Sequence, residues 1–335
     1  MVYKLGTDID LIMSNLEGIS FHDQKVLVTG GAGFLGSWIC EVLLYQGAEV
    51  ICLDNLASGL KENISHLIGS DKFQFIKHDI SEAISFDENI DIVIHMASRA
   101  SPLEFEHYPI EILKANTIGL MVSLEIARAH GSRMVYTSTS EIYGNPQEVP
   151  TPESCYGYVN SIGPRSCYDE AKRCGEAFVT AYSAQYGLDS RIARLFNTYG
   201  PRMRADGIYG RAIPRFIDQA LSGTEITVYG DGSQTRSFCY VTDQIEGILR
   251  FASMDAARGY VVNIGNDLEI SILALAKKVL DITKSDSEIM YQPMPSDDPI
   301  RRRPDITRAK ELLRWEPKVD LNEGLFKTIE WFKGA

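Results

Sequence analysis

The chain has no apolar run long enough to cross a bilayer. Its longest runs, such as "DIVIHMA", fall far short of the ~20 residues that a spanning helix needs. The amino-terminal stretch "MVYKLGTDIDLIMSNLEG" carries acids where a secretory leader needs a basic segment and an apolar one. Positive charge is also scarce: 45 acidic against 33 basic residues give a net charge of -12. That balance excludes nucleic acid or an anionic membrane as the main partner, while leaving room for a local basic pocket. The six cysteines (40, 52, 155, 167, 174 and 239) form no C-x-x-C pair and no His/Cys cluster at metal spacing, so no metal is expected. Internal repeats and low-complexity segments are missing too. These absences predict a cytoplasmic protein with a short N-terminal extension over residues 1–24.

What is present is an ordinary globular composition, 44% hydrophobic and 23% charged, over 335 residues. That length predicts one large or two unequal domains. From Lys25 onward, short β-branched runs alternate with longer amphipathic stretches. Strands are expected at 25–30, 49–54, 73–79, 91–98, 133–139 and 189–197. Helices are expected at 34–46, 109–130 and 167–186, with a closing helix at 321–333 and a loop at 295–305. Apolar strands alternating with helices imply an α/β fold, a doubly wound parallel Rossmann sheet whose ligands bind beyond the strands' C-terminal ends. After Asn197 the pattern changes to Gly, Pro and Arg clusters with short strands. We therefore expect a Rossmann domain over 25–197 and a smaller α/β substrate lobe over 198–335, with the chain crossing between them.

"TGGAGFLGSW" places Gly30, Gly33 and Gly36 between the first strand and first helix. Glycine allows the tight turn and the close approach of a pyrophosphate to the helix's positive end. Asp54 ends the second strand, where a carboxylate can accept from both ribose hydroxyls and repel a 2′-phosphate, which favours NAD over NADP. Asp79, ending the third strand, is placed to meet the adenine. Tyr168 and Lys172 in "CYDEAKR" lie at i and i+4, hence on one helix face. An ammonium there is expected to lower the phenol's pKa from about 10 towards neutrality, making Tyr168 a base. Thr139, in the hydroxyl cluster closing the fifth strand, completes a triad with them.

With these pieces the chain resembles the extended short-chain dehydrogenase/reductases that act on nucleotide sugars. "NTYGPR" (197–202), "VYGDGSQTRSFCYVTD" (228–243) and "NIGN" (263–266) match that family's substrate lobe. Through "STSEIYG", "GYVNSIGPRSCYDEAKR", "RLFNTYGPRM" and "DDPIRRRPDI" the resemblance runs most strongly to the UDP-glucuronate decarboxylases, or UDP-xylose synthases. It implies that Gly30, Gly33, Phe34, Leu35, Gly36, Asp54, Asn55, Ser58, Gly59, Asp79 and Ile80 hold NAD together with Tyr168 and Lys172. It further implies a UDP-sugar contacted by Asn197, Arg211, Tyr229, Arg236 and Arg302, the last near the sugar carboxylate; Arg99, outside the family pattern, is expected to contact it as well. Homodimerisation through 109–130 and 167–186 is expected on the same ground. The chain departs from the pattern at "ASRASP", which puts Arg99 beside the site, and in the longer loop "MRADGIYGRAIPRF".

The residues after Thr139 bear on the reaction. The resemblance implies that 4,6-dehydratases carry Asp at the next position, as the acid that expels water. Here the triplet is Thr139-Ser140-Glu141, and a serine hydroxyl can hold a carboxylate that an aspartate would repel. The expected reaction is NAD-dependent oxidation of UDP-glucuronate at C4 followed by loss of carbon dioxide, giving UDP-xylose or the UDP-4-keto-pentose. A 4-epimerase or 4,6-dehydratase shares the first step and stays open, as does a non-catalytic NAD-binding regulator.

Overall fold

The computed structural model describes residues 5–205 and 211–334. Helix α1 (Gly6–Asn15) precedes β1 (Lys25–Thr29), α2 (Phe34–Tyr45), β2 (Glu49–Asp54), β3 (Phe73–Lys77) and β4 (Ile92–His95). Helices α3 (Pro102–His107), α4 (Pro109–Asn116) and α5 (Ile118–His130) lead to β5 (Arg133–Thr139), α6 (Ser166–Tyr186) and β6 (Ser190–Leu195). There follow β7 (Thr198–Tyr199), α7 (Ala212–Ser222), β8 (Ile226–Tyr229), β9 (Thr235–Ser237), β10 (Cys239–Tyr240) and α8 (Val241–Ser253). The chain ends with β11 (Val261–Ile264), β12 (Glu269–Ser271), α9 (Ile272–Thr283), β13 (Ile289–Gln292), β14 (Arg301–Arg302), α10 (Thr307–Leu313) and α11 (Leu321–Gly334).

Seven parallel strands form the central sheet in the order β3-β2-β1-β4-β5-β6-β11. "KVLVT" and "IVIH" are buried on both faces, which is why they read as unbroken apolar runs. Helices α5 and α6 cover one face, over a core with Leu124, Met134 and Tyr136. Helices α2 and α8 cover the other, with α1 packed on both of them, and Trp38 and Ile248 are fully buried there. The strand order reverses between β1 and β4, the place where such sheets open a ligand crevice.

Beyond β6 the chain builds a second layer of small sheets, β12-β9-β14 and β13-β8, packed on α7, α9 and α11. Between the strands of that layer, after β10 and α8, it re-enters the main sheet at β11, paired with β6. Helix α1 is tied to both later regions through Asp8, which is wholly buried. The Tyr240 hydroxyl donates to its Oδ2 at 2.5 Å and the Lys327 ammonium to its Oδ1 at 3.1 Å.

Several expected boundaries move. The strands expected at 73–79, 91–98 and 189–197 end at Lys77, His95 and Leu195, because their last residues peel off to line a cavity. The helix expected over 109–130 is two helices, broken at Thr117 (φ -115, ψ -70). There the Asn116 amide donates both to Ile112 O (2.8 Å) and to Ser98 Oγ (2.9 Å). The expected loop 295–305 contains β14, which pairs in parallel with β9 and sets Arg302 beside Arg236.

Candidate active site

A cavity of about 860 Å³ opens along the C-terminal edge of the sheet, between it and the second layer. Every residue singled out from the sequence for cofactor, substrate or catalysis lines this one cavity. Residues 206–210 of the longer loop, and 1–4 of the extension, lie outside the described residues.

The glycine turn is shaped by contact distances. A Cβ on Gly30, at φ +71, would lie 2.8 Å from the Ala97 backbone, and one on Gly36 would lie 2.2 Å from Gly30 O. Gly33 has room by comparison, its nearest neighbour being Gly30 O at 3.1 Å. Helix α2 starts at Phe34 with no side-chain cap, so its first amides and positive dipole end face the cavity wall. Asp54 closes β2 and accepts from the amides of Ala32 (3.0 Å) and Leu56 (2.8 Å). Burial raises its carboxyl against those bonds. A Cβ on Gly59 would fall 2.8 Å from Asp54 Oδ2, so this stretch must be glycine for the acid to stay accessible. Asp79 accepts from Ser81 N (2.9 Å), Ser81 Oγ (2.7 Å) and Asn55 Nδ2 (2.9 Å). Burial opposes its ionisation, but those bonds outweigh it and hold Asp79 below the usual range. A glycine cradle that side chains would fill, facing an acid at the end of β2, fits a dinucleotide.

Thr139 ends β5 in extended backbone, and its hydroxyl accepts from Glu141 N at 3.3 Å. Tyr168 sits in the first turn of α6, its ring stacked on Phe105 at 5.1 Å between centroids. The neighbouring hydroxyl, Ser138, also lines the cavity but is already engaged. It donates to Glu176 (2.6 Å), which also holds Arg194 (2.8 Å). The electrostatics of Tyr168 differ from the expectation. Burial pushes its phenol up to about 12, with Glu141 adding to the rise and Arg211 and Thr139 working against it. Lys172 lies 5.9 Å from the ring centroid and donates to Thr137 O at 2.8 Å. Burial pulls it down to about 7, so in the bare site it is a weak source of positive charge for the phenol.

The substrate side is dominated by arginines. Arg302 grips Glu141 with both terminal nitrogens, Nη1 on Oε1 and Nη2 on Oε2 (2.7 Å). A second guanidinium, Arg165, donates to the same Oε2 at 2.5 Å. Burial alone would raise Glu141, but the two arginines outweigh it and keep the carboxylate ionised. Asp169, nearby on α6, is pushed up to about 7 by burial and by Glu141. Arg236 donates to Asp298 (2.8 Å), and burial together with Arg302 beside it pulls its pKa down. Arg215 lies over the Tyr229 ring at 4.9 Å, and Arg211 donates to Ala100 O at 2.8 Å. Asn197 lines the cavity at the end of β6.

Arg99 is in the cavity wall but turned aside. It donates to Glu104 (2.6 Å) and covers the Tyr108 ring at 4.2 Å, supporting the Ser101–Glu104 capping box of α3. Its charge is therefore spent within its own loop. Arg165, Asp169, Arg215, Asp298 and Phe105 escaped the sequence reading. Arg165 alone left a signal: a cation beside a helix N-terminus opposes the macrodipole, so its presence calls for a partner.

Residues 26–265 match the model of the NAD dependent epimerase/dehydratase family. A UDP-glucuronic acid decarboxylase 1 from Danio rerio is 46% identical over 315 residues, covering 94% of this chain and 74% of that protein. UDP-glucuronic acid decarboxylase 6 from Arabidopsis thaliana is 45% identical over 304 residues, covering 90% and 87%. Among solved structures, a UDP-glucose 4-epimerase from Thermotoga maritima, determined with UDP-glucose, superposes with a TM-score of 0.84 at 33% identity, covering 93% of this chain and 99% of that one. With its glycine turn, its Tyr168–Lys172 helix and these likenesses, the chain belongs to the NAD dependent epimerase/dehydratase family of extended short-chain dehydrogenase/reductases.

Proposed function

We propose that this enzyme converts UDP-glucuronate to UDP-xylose by oxidation at C4, loss of carbon dioxide and re-reduction. The observation that carries the reading is the pair Arg302 and Arg165, two guanidinium groups converging on one carboxylate in the cavity that holds Tyr168. Such a site has positive charge to spare for an acid sugar. The decarboxylase relatives support the same substrate.

When bound, NAD supplies a hydride acceptor for the sugar's C4 and a positive charge that favours phenolate. Gly30, Gly33, Phe34, Leu35, Gly36, Asp54, Asn55, Ser58, Gly59, Asp79 and Ile80 would hold it, with Lys172 orienting the ribose. Tyr168, as phenolate, takes the C4 hydroxyl proton, with Thr139 donating to the same oxygen. The resulting 4-ketone is β to the carboxylate, so carbon dioxide leaves and the electrons settle on the C4 oxygen. Tyr168 and Thr139 then stabilise that oxygen as a small oxyanion site. Ser140 offers a hydroxyl to the carboxylate without repelling it, and Glu141 orders the sugar or the water that protonates C5. Arg302 and Arg236, adjacent through the β9–β14 pairing, divide the carboxylate and the diphosphate between them. Asn197, Arg211 and Tyr229 complete the nucleotide-sugar site, whereas Arg99 acts through its loop.

In this reading residues 25–197 bind NAD, residues 198–335 bind the nucleotide sugar, and α1 of the N-terminal extension braces both. Among the described residues no helix is long and apolar enough to cross a membrane. We place the protein in the cytoplasm as a homodimer, to which the exposed Ile110, Leu113, Ile118 and Met121 of α4 and α5 lend support. The test is incubation with UDP-glucuronate and NAD. Carbon dioxide with a UDP-pentose supports the proposal, and a 4-keto-pentose would limit it to the first half. UDP-galacturonate without carbon dioxide would replace it by 4-epimerisation.

A further inference from the structure

The catalytic steps give Arg165 no contact with the substrate. It stands immediately before α6, where the helix dipole disfavours a cation, and yet its side chain is 13% exposed. Its guanidinium lies 5.6 Å from the Phe105 ring centre, 3.7 Å from Asp169 Oδ2 and 2.5 Å from Glu141 Oε2. Glu141 is thus bound on both oxygens, and its Oε2 is shared between Arg165 and Arg302.

A sugar carboxylate that approaches Arg302 meets Glu141 already in place. With Arg302 as the sole partner, one of the two carboxylates would be left unpaired in a largely buried site, and such an orphaned charge is strongly unfavourable. Arg165 removes the conflict, because Glu141 can release Arg302 and stay paired. We infer that Arg165 is a positioning residue that retains Glu141 while Arg302 turns to the substrate carboxylate, so that acid sugars are selected by an exchange of partners between two arginines. This rests on the decarboxylase reading and adds to it a residue that selects the substrate without touching it.

The experiment is calorimetric titration of the NADH-loaded protein, which cannot oxidise C4, with UDP-glucuronate, UDP-glucose and UDP. In Arg165→Gln, UDP-glucuronate affinity should fall about 10- to 100-fold, the scale of a charge-assisted hydrogen bond, with the other two ligands held within about 3-fold. Adding Glu141→Gln to that variant removes the competing anion and should restore UDP-glucuronate to within about 3-fold of wild type. Arg165→Lys keeps the charge and should keep the preference, which tests the idea even where the glutamine variant fails to fold. An equal loss for all three ligands in Arg165→Gln would make Arg165 a structural residue and overturn the inference, as would a double variant that stays weak for UDP-glucuronate alone. A wild-type protein with no preference for UDP-glucuronate over UDP-glucose would instead overturn the decarboxylase reading, a separate failure.

Discussion

Replacing Lys172 by methionine should stabilise the protein without ligands while abolishing turnover. The ammonium is 2% exposed, and its hydrogen bond runs to Thr137 O at 2.8 Å, with the Tyr136 ring 5.0 Å away. Burial moves its pKa from 10.5 to about 7, against the pull of Glu176. At about 1.36 kcal/mol per unit, that displacement corresponds to a penalty on the order of 4 kcal/mol at neutral pH. Methionine fills a similar volume without the charge, but leaves Thr137 O unpaired at a cost of ~1–3 kcal/mol. The difference is a net gain of roughly 1–3 kcal/mol, or ~1–4 °C in Tm for a chain of this size. The sign with pH is equally definite. The folded pKa lies below the unfolded one, so the unfolded chain binds more protons between about pH 7 and pH 10.5, and wild-type stability from this group rises across that window. Below about pH 7 the contribution is flat. Thermal unfolding of wild type and Lys172→Met without NAD, scanned over this range, measures both effects. A variant that melts lower than wild type at neutral pH, or that keeps the wild-type rise, would refute the reasoning.

Four further outcomes follow from particular residues. Tyr168→Phe should cut carbon dioxide release from UDP-glucuronate by about 10²–10⁴-fold, with ligand affinity changed only slightly, as stopped assays and titration would register. Gly36→Ala, whose Cβ would sit 2.2 Å from Gly30 O, should lose NAD binding and about 1–3 kcal/mol of stability. Gly33→Ala, with 3.1 Å to the same atom, should melt near wild type. Asp8→Asn should lower stability by about 1–3 kcal/mol in denaturant melts, because it breaks the pairing with Lys327 and disturbs the bond from Tyr240.

The central sheet and the glycine turn were legible because both are local. Strands buried on two faces give continuous apolar runs, and the turn needs its glycines within seven residues, Gly30 to Gly36. What escaped depends on distant partners. The break at Thr117 hinges on Asn116 bonding Ser98, and nothing in "KANTIGL" announces it. "RRRPD" reads as a solvated loop until β9 is beside it, when Arg302 becomes a strand residue facing the cavity. The Tyr168–Lys172 spacing could be read, but the direction of the phenol's shift could not, because burial outweighs the neighbouring charge. Arg99 was expected as a substrate contact and lines the cavity, but its partner there, Glu104 five residues on, could not be read from the sequence. Ser138 and Glu141 come from one hydroxyl-rich segment and line one cavity, yet Glu176 holds the first and two arginines hold the second.

The return of β11 to the main sheet has a consequence for how this scaffold can be altered. The polypeptide leaves the sheet after β6, comes back through α8 to β11, and leaves again towards β12. The upper layer is therefore sewn on by several passes of chain, with no single hinge on which to swing. Grafting that layer from another protein as a cassette would cut the edge strand from the sheet beneath it. New sugar specificity is more readily installed by exchanging the loops around Arg99 and Arg165, which follow β4 and β5 of the main sheet and lead into α3 and α6.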